Sequence, residues 1–248
     1  MAVSASSAEQ NKLLEIADLD TKLIQLNHQR STAPQITKAH DLEVELGSIE
    51  MKIVAAQTEV ADLTVNQEKA EADVKQVADR ISKDQSRLDA GQATPKELEG
   101  FQHEIATLSK RLTELEDEEL IVMQQLEDAT SALSELELDR DRVTGEFELS
   151  KQALELKFAD LDGQIAQLGA ARLAAVESLP KDVVELYEKI KSDQGDVGAA
   201  LIHRGACQGC HIALDATEID RIKSLPPDTV VRCEQCRRIL IRNSESGL

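Results

Sequence analysis

Seam positions, nearly all apolar, recur at alternating spacings of three and four residues, without a slip, from Ala39 to Leu88: Ala39, Leu42, Leu46, Ile49, Ile53, Ala56, Val60, Leu63, Gln67, Ala70, Val74, Val77, Ile81, Asp84 and Leu88. Such a seam, sustained over about seven heptads, predicts a left-handed coiled coil. At 1.5 Å per residue the helix is roughly 80 Å long. Gly91 suits the left-handed residue that ends it. The next helix starts at Thr94-Pro95-Lys96-Glu97, with Thr94 as N-cap, Pro95 at N1 and Glu97 at N3 of a capping box. A returning seam comes next: Leu98, Phe101, Ile105, Leu108, Leu112, Leu115, Glu119, Val122, Leu126, Ala129, Leu133, Leu136, Arg140, Val143 and Phe147. The two arms make an antiparallel hairpin in which facing residues have numbers summing to about 186. Gln67 then lies opposite Glu119, and the pair is expected to share a polar layer that fixes register; the alternative reading is two unrelated defects that point outward.

An earlier stripe, over about residues 8–30, carries Ile16, Leu19, Leu23 and Leu26 and predicts a first helix. Pro34 disfavours helix at Ala33, so a break is placed near 31–35, with Thr32 available to cap the second helix. Beyond Phe147 the seam changes phase through Ser150, Leu154 and Phe158 to Leu161, Ile165 and Leu168, which is a stutter. The same sum rule sets Leu161 near Leu26 and Leu168 near Leu19, while Gly163 and Gly169 weaken the helix there. Leu179-Pro180 is a boundary. The expected division is a hairpin over 1–179 with its tip near 90–95, a connecting helix and turn over 180–196, and a small strand-rich module over 197–248. In that module the expected strands are Ala199–Arg204, Ile212–Leu214, Thr229–Arg232 and Arg238–Arg242, with a short helix capped by Asp215 or Thr217 and ending near Ser224.

Composition sharpens this reading. Aromatic residues make up 2% of the 248 and charged residues 30%, which suits long helices rather than a large globular core. No segment resembles a signal peptide or a membrane span, so the expected location is the cytoplasm. The net charge is −19, from 47 acidic and 28 basic side chains. Residues 196–248 contribute seven of each, so the excess lies wholly in the helical part, which should repel nucleic acid along its length.

The chemistry lies in the C-terminal module. The four cysteines of the chain fall as two Cys-x-x-Cys pairs, Cys207/Cys210 and Cys233/Cys236, the arrangement of a four-thiolate zinc site. Four sulfurs close a tetrahedral shell and leave no position for water or substrate, so a bound Zn²⁺ would be structural. Gly209 is expected to supply positive φ in the first turn; Gln235 occupies the equivalent place in the second. Iron would fit the same sulfurs. Disulfides and a thioredoxin-like pair fit the cytoplasmic, two-motif context less well. His211 reads as a neighbour of the site rather than a ligand. So small a module cannot build a self-sufficient core, and metal binding is expected to supply the deficit.

The tip Thr94-Pro95-Lys96-Glu97-Leu98-Glu99 with Gln102 and Glu104-Ile105, together with Cys207-x-x-Cys210 and Val231-Arg232-Cys233-x-x-Cys236-Arg237-Arg238-Ile239-Leu240, resembles the bacterial C4-type zinc-ribbon proteins with an N-terminal coiled coil, a family of unknown function. The resemblance covers essentially the whole chain. It implies an elongated adaptor whose ribbon binds protein or nucleic acid. Arg237 stands where that pattern often has glycine.

Fold class is therefore mainly α, a long antiparallel coiled-coil hairpin with a small β zinc ribbon. The favoured function is a non-enzymatic, zinc-binding scaffold with a protein partner, as a monomer or weak dimer with no small-molecule substrate. Arg204, Arg232, Arg237, Arg238 and Arg242 around the metal are candidate contacts to phosphates or to an acidic protein; the alternative reading of them is solvated strand ends. Nucleic-acid binding through this ribbon is the second hypothesis. Catalysis is disfavoured because the metal shell is closed, no Gly-rich phosphate loop is present, and the histidines are scattered at 28, 40, 103, 203 and 211.

Overall fold

The computed structural model describes residues 3–91, 94–243 and 246. Contacts group the chain into two units, one of residues 37–151 and one that joins the residues through 36 to those from 152 onward. This differs from the sequence-based division at 179, because the first helix and the end of the third associate with the C-terminal strands. None of the described helices is long and apolar enough to cross a membrane.

In the unit of residues 37–151, helix α2 (Pro34–Asp89) and helix α3 (Pro95–Glu177) run antiparallel. Every expected seam position, on both arms, is buried or half-buried. Leu42, Ile49, Ile53 and Val143 form the most buried cluster, with Leu46, Leu133, Leu136 and Phe147 against it. That grouping, and the ion pairs Arg80–Glu104 (2.5 Å) and Arg142–Glu45 (3.9 Å), agree with the expected register. Gln67 and Glu119, the expected polar layer, are both half-buried seam positions. Asp84 is the more deeply buried polar seam residue, held by Arg87 at 3.3 Å and Arg80 at 3.7 Å. At the tip, Gly91 takes φ +62° as expected. The rest of the turn, residues 92 and 93, lies outside the described residues. Glu97 Oε2 accepts from both the backbone N–H and the hydroxyl of Thr94, so the cap is carried by the glutamate.

In the other unit, helix α1 (Ser7–Ser31) opens with a full capping box between Ser6 and Glu9. Thr32 closes α1 rather than starting α2: its N–H and its hydroxyl both donate to His28 O. Helix α3 continues unbroken through Gly163 and Gly169 to Glu177. The burial of Ser150, Leu154, Phe158 and Leu161 matches the predicted stutter. Register here departs from the sum rule. Arg30 pairs with Asp162 and Asp20 with Arg172, numbers that sum to 192 in each case. The break after Ser31 interrupts one strand of the pair while α3 runs on, so the spacing set in the hairpin is not transmitted past it.

Helix α4 (Lys181–Gln194) buries Val183, Tyr187 and Ile190 on one face and ends at Gly195 in the left-handed region. Among the described residues four short strands follow: β1 (Ala199–His203), β2 (Ala206–Cys207), β3 (Val231–Arg232) and β4 (Ile239–Ile241), with helix α5 (Ala216–Ser224) between β2 and β3. Their order is β2-β1-β4-β3, parallel only between β1 and β4. The expected strand at Ile212–Leu214 reduces to a single bridge between Ala206 and Ala213.

Side chains alternate across this sheet, as strand geometry requires. Ala199, Ile239 and Ile241 face Leu13, Ile16, Val183, Tyr187 and Ile190 of α1 and α4. Ala200, Ile202 and Leu240 face Ile222 of α5 and the cysteines. The module therefore does not lean on metal alone for its core; two helices from earlier in the chain cover its other face.

Candidate metal centre

The two cysteine turns are built alike. In the first, His211 N–H donates to Cys207 O (2.7 Å) and Cys207 N–H to Ile212 O (3.1 Å); in the second, Arg237 N–H donates to Cys233 O and Cys233 N–H to Arg238 O, both at 2.9 Å. Each turn returns the chain through a left-handed residue, His211 (φ 59°) or Arg237 (φ 64°). Gly209 is not among the positive-φ residues, so its role differs from the expected one. A Cβ there would stand 2.7 Å from Arg238 Cδ and 3.0 Å from Ala200 Cβ; close approach is what requires glycine. The left-handed position of the second turn is where Arg237 replaces the glycine of the related pattern, and it carries the strain a Cβ brings there.

These turns bring the four thiols into one cluster, with every sulfur within 4.8 Å of the others. Cys207 Sγ lies 3.8 Å from Cys236 Sγ, and Cys210 Sγ lies 3.9 Å from Cys233 Sγ. A tetrahedron with metal–sulfur bonds of about 2.3 Å has sulfur–sulfur edges of about 3.8 Å, so the donors fit one tetrahedral ion. Burial pushes the Cys207 thiol up to about 12 despite N–H groups of Cys210 and Gly209 directed at its sulfur. Burial likewise raises Cys233. At Cys236 burial is outweighed by the N–H and guanidinium of Arg238, and the thiol is lowered. Four thiolates at such short range would repel one another, and a thiolate-seeking cation bound among them would offset that repulsion and favour their deprotonation.

Arg238 is not a surface contact. It is 6% exposed and donates to both oxygens of Asp196 (2.5 Å each), to Val197 O and to Gly209 O (3.1 Å each). It thereby ties the turn after α4 to both cysteine turns. Arg242 is also consumed internally, donating to the carbonyls of Ile222, Leu225, Pro226, Pro227 and Thr229, where it holds the end of α5 and the loop beyond. A carbonyl-rich loop with two prolines has few N–H donors of its own to satisfy those oxygens, which explains the recruitment of a guanidinium.

Arg204, Arg232 and Arg237 remain exposed. Arg232 and Arg237 share a cleft of about 240 Å³ with Lys189 and Asp193 of α4. Arg204 does not line it and instead forms, with Gly205, the two-residue positive-φ turn between β1 and β2. His211 is exposed, and its backbone rather than its ring serves the first turn.

Sequence reasoning missed Gly198, Asp196 and Asp20. A Cβ on Gly198 would meet Tyr187 O at 2.4 Å, so α4 can seat against the start of β1 only over glycine. Asp196 looked like one residue of an ordinary turn. Asp20, 1% exposed, accepts from Arg172 (2.6 and 3.2 Å), Tyr187 Oη (2.8 Å) and Lys191 Nζ (2.5 Å), and Arg172 also reaches Glu188. Its only signal in the sequence was an acidic residue beside the apolar stripe of α1.

Known proteins place this architecture. The profile of the CT398-like coiled coil hairpin domain matches residues 16–195, and that of the C4-type zinc ribbon domain matches residues 206–240. The Mycobacterium tuberculosis protein Rv2229c is 27% identical over 240 residues, covering 97% of this chain and 98% of its own. The Mycobacterium leprae protein ML1638 is 24% identical over 222 residues, covering 88% and 93%. Among solved structures, a Mycobacterium smegmatis protein superposes with a TM-score of 0.85 at 28% identity, covering 97% of this chain and all of that one. CT398 from Chlamydia trachomatis, at 20% identity and a TM-score of 0.68 over 94% of this chain and 97% of its own, shares the fold. The chain thus belongs to the family of CT398-like coiled-coil hairpin proteins that carry a C4-type zinc ribbon.

Proposed function

We propose that the protein is a non-enzymatic adaptor of the cytoplasm in which Cys207, Cys210, Cys233 and Cys236 hold one structural Zn²⁺ and the acidic hairpin and the ribbon engage different macromolecular partners. The observation that carries this reading is the four-sulfur cluster, whose 3.8 and 3.9 Å edges suit a closed tetrahedral shell. A closed shell offers no site for substrate, so the metal's contribution is to fix the two turns. Those turns present Arg232 and Arg237 to solvent, with Arg204 at the β1–β2 turn. The chain acts as a monomer or weak dimer, since the seam of each hairpin is covered by its own second arm.

Nucleic acid is the second reading. It is favoured by one observation, the convergence of Lys189, Arg232 and Arg237 on a single cleft. Affinity purification of the tagged chain with and without nuclease separates the two. Partners that survive nuclease, and are lost with the Arg232→Ala/Arg237→Ala double variant or with deletion of the hairpin tip, support the adaptor. Partners lost on nuclease treatment, with salt-sensitive RNA or DNA binding by the purified chain, support the second reading. Metal analysis should give one zinc per chain, and none in Cys233→Ser; iron at equal stoichiometry would overturn the zinc assignment.

A further inference from the structure

A second group of possible metal donors lies beside the second cysteine turn. Helix α5 is capped by Asp215, whose Oδ1 accepts from Glu218 N–H at 2.8 Å. Glu218 occupies the N3 position, where a glutamate ordinarily reaches back to the N-cap N–H. Glu9 does so in α1, and Glu97 does so at the tip. Glu218 departs from this pattern. The residue is 7% exposed, and its Oε1 is a buried oxygen without a hydrogen-bond partner. Its ion-pair partner, Arg221 Nη2, stands 3.6 Å away, beyond hydrogen-bonding distance.

What Glu218 faces instead is more negative charge. One carboxylate oxygen from each of Asp215, Glu218 and Glu234 lies within 4.8 Å of the others. The three line a hollow of about 370 Å³ with Thr217 and Arg221. Glu234 belongs to the second cysteine turn, between Cys233 and Gln235, so the cluster joins two elements distant in sequence. Like charges at this range repel strongly when one of them is shielded from water. Burial and the neighbouring Glu234 carboxylate accordingly raise Glu218 above the ordinary carboxylate range. A structure that turns a capping glutamate from its usual partner toward two other carboxylates has a use for a cation there.

We propose that Asp215, Glu218 and Glu234 form a site for a hard divalent cation, Ca²⁺, separate from the four-sulfur centre. Three carboxylates are an all-oxygen donor set, which disfavours the thiolate-seeking ions suited to the cysteines. Ca²⁺ takes oxygens at about 2.3–2.6 Å in a flexible geometry that suits carboxylates from two separate elements, whereas Mg²⁺ at about 2.1 Å demands near-ideal octahedral geometry and keeps several of its waters. Asp215 can keep its capping bond from Glu218 N–H while its carboxylate takes part in the site. Bound Ca²⁺ would tie the start of α5 to the second cysteine turn and displace Arg221 from its loose pairing.

The test is calorimetric titration of CaCl₂ into the full chain purified with its own zinc, at about 0.15 M salt so that diffuse attraction to the acidic helices is screened. One saturable Ca²⁺ per chain is expected. Glu218→Gln and Glu234→Gln should each weaken it at least tenfold with zinc content unchanged, while Glu116→Gln on the exposed hairpin leaves it as it was. Arg221→Ala removes the competing cation and should tighten it several-fold. The exposed Glu234 carries the test if Glu218→Gln fails to fold. No saturable binding, or binding that is equal in Glu234→Gln and the parent, would overturn the site.

Discussion

The two units bury their apolar residues in different ways. In residues 37–151 two helices face each other, and most seam residues are only half-buried; full burial is reached at a few positions such as Leu42, Ile49, Ile53, Leu115 and Val143. In the other unit α1, α3 and α4 meet one another and one face of a sheet, and Leu13, Ile16, Tyr187, Ile239 and Ile241 are almost wholly enclosed. A two-helix seam leaves each residue open on its flanks, whereas a third layer closes them. Stability in the hairpin is thus spread thinly along its length. In the other unit it is concentrated, and it is joined to buried polar links, those of Asp20 and Arg238.

The strongest way to break this contrast is at the metal. Chelation of zinc, or Cys207→Ser, removes an interaction on the order of 10 kcal/mol. It should abolish protease resistance in residues 197–243 while far-ultraviolet circular dichroism retains the signal of α2 and α3. Loss of hairpin helicity as well would mean that the two units fold as one. Asp20→Asn comes next, at about 3 kcal/mol by chemical denaturation, because it strips a buried carboxylate from Arg172 and Lys191. Its pH dependence has a definite sign. Burial pushes the Asp20 carboxyl up, but the bonds from Arg172, Lys191 and Tyr187 outweigh it and leave it below the ordinary carboxylate range. The stabilisation is therefore full above the unfolded carboxylate value and is lost as pH falls through the folded one. Asp20→Asn should flatten that acid limb.

Within the hairpin, Ile49→Ala at the buried cluster should cost about 2–3 kcal/mol, and Leu63→Ala at a half-buried seam position about 1 kcal/mol, both read from urea unfolding. Equal costs would show that exposure of the seam does not set its energetics. The smallest effect has the opposite sign: Arg237→Gly relieves a Cβ from the left-handed region and should stabilise the ribbon by about 1 kcal/mol in the zinc-loaded chain. If this variant also loses partner binding, the arginine is retained there for contact rather than for structure.

Much of the fold was legible because helix periodicity is a local signal. The seam residues from Ala39 to Leu88 and from Leu98 to Phe147 are all shielded, and Ser150-Leu154-Phe158 shows the stutter in burial as it did in spacing. The cysteine cluster was legible for a similar reason, since each pair is set by one short turn. The arginines were not. Arg237 and Arg238 are neighbours of the same type, yet one is solvated and the other is fixed by Asp196, 42 residues earlier in the chain. Nothing in the local sequence separates them.

The sequence by itself determined helices, their seams, the tip and the metal donors, because each depends on residues within one or two turns of one another. Tertiary structure decided the register beyond the Pro34 break, the second face of the ribbon, the burial of Asp20, Arg238 and Glu218, and which arginines stay solvated. Those outcomes depend on which charged group meets which across elements. Desolvation and pairing act over a few ångströms in space whatever the separation along the chain.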